Sequence, residues 1–259
     1  METLRDLDLV RAVAPTVAAT EMRASDDGMP TMVVRFSRFD VWYEIDSFWE
    51  GRFLERTVRG AFTKTLREQG AQMKIQFDHG HDPQIGSKLL GKPRSWYEAD
   101  DSPVVEVDLF DASYVRDLIP GLEAGVYGSS FRFRVMREEW VDEPGRSEHN
   151  PDGIPERTLK ELRVLESGPV TWPANPDSTA GLRSLTDDFY ARMRSRDPHH
   201  VEALEARMRA IRTPDAGAAL LGTPAEGAAS TTDDAPAPCH PSGLSSAARS
   251  RILTAPFLI

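Results

Sequence analysis

From residue 31 to about residue 180, apolar and polar positions mostly alternate in short runs broken by Gly and Pro, the pattern of half-buried strands. TMVVRFSRFDVWYEID (31–46), rich in Val, Phe, Trp and Tyr, predicts one or two strands. MKIQF (73–77) predicts a strand running directly into DHGHD (78–82), and VVEVDLF (104–110) one with its acids outward. YGSSFRFRVM (127–136) is the clearest strand: Ser129, Phe131, Phe133 and Val135 share the core face, and Ser130, Arg132 and Arg134 the other. RTLKELRVLE (157–166) predicts another, and GPVTWPANP (168–176) a short one broken by prolines. Helical spacing intervenes twice, in AFTKTLREQG with its glycine stop and in DASYVRDLIPGLEAG, capped by Asp111 and bent at Pro120.

After residue 184 the period changes. LTDDFYARMRSRD and HVEALEARMRAIR predict helices, the second with Val201, Leu204, Met208 and Ile211 along one face. Residues 213–243, dominated by Ala, Pro, Gly, Ser and Thr, bury too little apolar surface to offset the entropy of ordering. The chain therefore divides into a flexible segment (1–30), a folded domain (31–184), a helical extension (185–212) and a disordered linker and tail (213–259). With strands so dense and only two helices between them, the domain predicts a mainly β, α+β fold, barrel-like rather than doubly wound.

Composition narrows the function. The net charge of −10 argues against a nucleic-acid-binding surface, because phosphate neutralisation needs clustered Lys and Arg. No window approaches the apolar length of a membrane span, and the N-terminal residues, with acids among the first ten, do not read as a secretory signal. A soluble, cytoplasmic protein is expected. The single cysteine, Cys239, rules out an intrachain disulfide, and in a Pro/Ala-rich stretch it lacks the fixed base that a thiol nucleophile needs.

Three segments carry candidate chemistry. FDHGHD puts His79 and His81 at a strand end, where a scaffold can present a base. His-x-His with Asp78 and Asp82 is also a conceivable metal set, but Pro83 occupies the place of the next acid in the usual metallo-hydrolase run. YGSSFRF puts Ser130 opposite the Phe face beside Arg132, without the G-x-S-x-G elbow of an α/β-hydrolase. VLESGPVTWPANP ends an apolar strand on Glu166. Taken singly, each also fits a bland reading: surface histidines in a turn, a tolerated Ser-Ser pair, an exposed acid at a strand end.

Their succession is distinctive. Phe53, Glu55, Gly60, Ala61 and Phe62 come first, then Asp78 and His79 with Gly86 beyond. Next are Gly128, Ser130, Phe131 and Phe133, then Glu166, Val170, Thr171, Pro173, Ala174 and Asn175. In this order residues 31–182 resemble the prohead (capsid maturation) serine proteases of tailed bacteriophages, relatives in fold of the herpesvirus assembly proteases. The resemblance implies a herpesvirus-protease-like β-barrel flanked by short helices. It also implies a serine endopeptidase with Ser130 as nucleophile, His79 as base, Glu166 as third member, and Arg132 and Ser129 near the oxyanion or substrate. No cofactor and no metal are implied. The implied substrates are scaffold, a segment of the major capsid protein and the protease itself, cleaved inside the procapsid in the host cytoplasm by a self-associating, dimeric enzyme. Arg132 and Gly168 depart from the family's usual Gly and Ser. The competing expectations are a catalytically inactive protease-fold scaffold or head-assembly protein, and a metal hydrolase using His79 and His81.

Overall fold

The Phe-rich alternating run becomes the centre of the molecule. In a computed structural model describing residues 7–15, 19–25, 28–171 and 182–212, it forms β9 (Gly128–Val141). Phe131 and Phe133 are buried and stack at 4.7 Å, and Phe131 meets Phe36 and Phe62 at 5.5 and 5.6 Å. The face assigned to the core from alternation is the core face.

On one side β9 pairs antiparallel with β10 (Glu156–Val170) along nearly its whole length, and on the other with β1 (Leu9–Val13). β11 (Leu182–Ser184) extends the sheet beyond β1. β5 (Gly51–Thr57) and β4 (Tyr43–Ser47) extend it beyond β10. The two-residue β6 (Lys74–Ile75) joins the far end of β10 in parallel. A second sheet runs in the order β2 (Thr20–Arg23), β3 (Thr31–Arg35), β8 (Pro103–Leu109), β7 (Gly91–Glu98). A backbone bond from Leu90 N–H to the Ile75 carbonyl links the sheets at one side, and the hydroxyls of Thr20 and Ser129 link them at the other. The result is a mainly β, α+β fold: a nearly closed barrel around one aromatic and aliphatic core.

The helices are short. α1 (Thr63–Gln69) follows β5 as its spacing predicts. The expected bent helix is two helices, α2 (Ser113–Arg116) and α3 (Ile119–Glu123), because Pro120 takes the first turn of α3, where its missing N–H costs nothing. α4 (Thr186–Arg196) and α5 (Pro198–Arg212) close the described chain, with Val201 and Met208 buried. No helix among the described residues is long and apolar enough to cross a membrane.

Two expectations are corrected. Residues 1–30 were expected to be flexible, yet β1 is wholly buried between β9 and β11. Its Arg11 is neutralised from inside: the guanidinium grips Glu55 at 2.7 and 3.0 Å and Glu50 at 2.9 and 2.6 Å. Arg157 joins Glu55 at 3.2 Å. Burial alone would raise the Glu55 carboxyl, but the two arginines hold it below its ordinary range. A charged residue in LVRAV hides a core strand from periodicity. Likewise, the strands expected at 157–166 and 168–176 are continuous through Val170, carried past Leu165 by a bulge; residues 172–176 lie outside the described residues. The linker and tail expected at 213–259 lie outside them too.

Candidate active site

Ser130 lies at the middle of the β1–β9–β10 stretch, opposite Ala12 on one side and Gly168 on the other. Its side chain points away from the Phe131/Phe133 face, as alternation requires. Glu166 reaches that same face only through the bulge. Val164 pairs with Phe133 on the core face, and strict alternation would send Glu166 there as well. The extra residue, Leu165, sets Glu166 opposite Arg132 instead, on the side of Ser130.

His79 arrives from the end of β6, in a tight turn of three residues, Asp78, His79 and Gly80, all with positive φ. β6 approaches β10 so closely that a Cβ on Gly168 would stand 1.9 Å from the Gln76 carbonyl oxygen. Only glycine at 168 therefore fits this close approach. It brings the turn over Glu166.

These placements produce a continuous chain of polar contacts. His79 Nδ1 is 2.6 Å from Glu166 Oε2, and His79 Nε2 is 2.7 Å from Ser130 Oγ. A carboxylate at Nδ1 fixes the proton there, leaving the Nε2 lone pair to face the hydroxyl. Glu166 is buried, and its Oε1 has no hydrogen-bond partner. Ser130 Oγ also lies 2.7 Å from the Arg11 carbonyl, a second acceptor that the sequence reading missed. An Arg inside a short apolar run, with a carboxylate to match it in the distant FLER, is the signal that could have placed β1 here.

The other expected residues separate. Arg132 is next to Ser130 on the site face, its guanidinium 5.5 Å over the Phe189 ring and 3.6 Å from Asp8, with Nε buried and unpartnered. Ser129 faces the opposite way, its hydroxyl donating to the Arg35 carbonyl at 2.5 Å. Its side chain is a barrel-closing contact rather than an oxyanion or substrate contact. His81 packs on Phe189 at 5.4 Å with both ring nitrogens buried and unpartnered. Burial, then Arg196 and His79, push it from 6.5 down to about 4. Asp82, the other acid of the conceivable metal set, spends Oδ1 on the backbone N–H groups of Gln84 and Ile85 at 2.9 and 2.7 Å. Burial raises the Asp78 carboxyl, opposed by the Thr171 N–H and Arg192. Beside the three-residue chain, a small cleft is lined by His79, His81, Val170, Phe189 and Arg192. Pro173, Ala174 and Asn175 lie outside the described residues.

A serine, an imidazole and a carboxylate in this order can activate a hydroxyl for attack on a carbonyl carbon. Among solved structures, the capsid assembly protease of bacteriophage T4 is similar, at 9% identity and a TM-score of 0.40, over 64% of this chain and 98% of that chain. No curated protein matches the chain. The family described as Caudovirus prohead serine protease matches residues 19–189, more than half of the sequence. The chain belongs to the prohead serine protease family.

Proposed function

We propose that this protein is an active serine endopeptidase that cleaves scaffold and capsid-protein segments, and its own chain, during procapsid maturation. The observation that carries the reading is the unbroken Ser130–His79–Glu166 relay at 2.7 and 2.6 Å. Ser130 Oγ attacks the scissile carbonyl carbon as its proton passes to His79 Nε2. Glu166 holds the resulting imidazolium at Nδ1, with no proton of its own to gain. The tetrahedral intermediate collapses when His79 returns that proton to the leaving amine, and water repeats the sequence on the acyl-enzyme. Ser130 is on an interior strand whose backbone groups serve the ladders to β1 and β10, so we assign the oxyanion donor to the unpartnered Arg132 Nε–H, on the same face of the strand. This gives the departure from the family's usual Gly a function.

Self-association as a dimer belongs to the same reading, by family resemblance.

The test is co-expression with the neighbouring capsid gene, with capsid-protein size read on a gel. Wild-type chain shortens the capsid protein; Ser130→Ala and His79→Ala leave it at full length, and His81→Ala retains most of the cleavage. Full cleavage by a soluble Ser130→Ala protein eliminates the scheme. An uncleaved capsid protein with the wild-type chain, in otherwise normal particles, turns the reading to the inactive scaffold.

A further inference from the structure

The turn that carries His79 is strained. Asp78, His79 and Gly80 have φ of 45°, 56° and 73°, three left-handed residues in succession, of which only the glycine adopts that conformation freely. For the other two it is unfavourable, and such geometry persists only where its surroundings over-determine it. Inside the turn, Gly80 N–H bonds the Phe77 carbonyl and His81 N–H the Asp78 carbonyl, both at 2.9 Å. Those bonds close the turn but do not locate it against the sheet.

Two side-chain contacts do that. From α4, Arg196 donates to the Gly80 carbonyl at 3.0 Å. From the turn itself, Asp78 Oδ1 accepts the Thr171 N–H at 3.0 Å. Thr171 directly follows β10, the strand that supplies Glu166, so one carboxylate joins the turn bearing the base to the strand bearing its carboxylate partner. We propose that Asp78 is a positioning residue, whose carboxylate clamps the left-handed turn to the end of β10 and so holds the His79 ring in line between Ser130 and Glu166. This rests on the triad reading of the site. The guanidinium of Arg192 on α4 acts on Asp78 through space, and it does not supply the directional bond that Thr171 does.

Substitutions at Asp78 separate the bond from the backbone strain. Asn keeps an acceptor oxygen and tolerates positive φ; Gly relieves the strain but has no acceptor; Ala lacks both advantages. The readouts are the rate at which a fluorophosphonate probe labels Ser130 in the full-length chain, and the melting temperature. Asp78→Asn is expected to label within about threefold of wild type. Asp78→Gly and Asp78→Ala are expected to lose roughly 10- to 100-fold, the effect of a misplaced base. Restoration by Asn but not by Gly is a pattern that generic destabilisation does not produce. Wild-type labelling by Asp78→Gly, or an Asn variant as slow as Ala, overturns the clamp while leaving the triad intact. If the Gly or Ala variant does not fold, a loss of more than about tenfold in Asn alone overturns it. A wild-type chain that is never labelled at Ser130 overturns the triad reading and the clamp together.

Discussion

The hydroxyl of Ser130 has one proton and two acceptors at 2.7 Å, His79 Nε2 and the Arg11 carbonyl. Donation to Arg11 leaves the oxygen at rest; donation to His79 prepares it for attack. Glu166 biases the choice by keeping the imidazole proton on Nδ1. His81, two residues away, reports on the same region through stability rather than catalysis. Its folded value of about 4 against an ordinary 6.5 means that unfolding at mildly acid pH takes up a proton. The stabilisation is complete above 6.5 and is lost as pH falls from 6.5 towards 4. Melting curves across that window should fall more steeply for wild type than for His81→Leu, and parallel curves would refute the assignment. Ser130, His79 and Glu166 were legible as a motif order. Ser129 faces the core, where alternation places it; its expected oxyanion or substrate role came from the resemblance alone, and two adjacent serines on one strand necessarily face opposite sides.

At the scale of elements, α4 is the least expected part of the site. Its spacing predicted a helical extension beyond the folded domain. Instead it is built into the core. The Thr186 hydroxyl accepts the Val10 N–H at 3.1 Å, Asp187 takes the Ser47 hydroxyl at 2.6 Å, and the Tyr190 ring packs tilted against Trp49 at 4.4 Å. Phe189 lies 6.2 Å from the His79 ring, and Arg196 holds the turn at Gly80. Ending the chain at Ser184 removes all of these contacts and uncovers buried aromatic surface worth about 1.5–3 kcal/mol per large side chain. That truncation should yield insoluble or inactive protein. A chain ending at Arg212 keeps every one of the contacts and should label at Ser130 as wild type does. Solubility and probe labelling of the two truncations check this, and an active chain ending at Ser184 would remove α4 from the working enzyme.

At the scale of the whole molecule, the Arg11–Glu50–Glu55–Arg157 cluster ties the N-terminal strand to β5 and β10. The Tyr43 hydroxyl adds a bond to Glu55 at 2.5 Å. These groups are almost completely removed from water. Glu55→Ala would leave Arg11 and Arg157 underpaired in the interior, at a cost of about 3–5 kcal/mol. A denaturant titration should show that loss. Probe labelling of Ser130 should fall in parallel, since Arg11 supplies both the buried charge and the carbonyl beside the nucleophile. A loss below about 1 kcal/mol, the scale of an exposed ion pair, would mean that the cluster is not a structural lock.

By itself the sequence determined which face of β9 is buried, the helix after β5, the mainly β character of the domain, and the order of the Ser, His and Glu segments. The first three follow from periods of two and 3.6 residues and from local turn chemistry, which a linear pattern records, and the last from the resemblance to the prohead proteases. Only the tertiary structure decided that Leu165 bulges and turns Glu166 towards Ser130, that Gln76 just after β6 lies tight against Gly168, and that β1 joins the central sheet with Arg11 neutralised by Glu50 and Glu55. Each depends on a partner far away in sequence. A bulge is defined by the opposing strand, a close backbone approach by the second backbone, and a buried charge by the carboxylates that meet it.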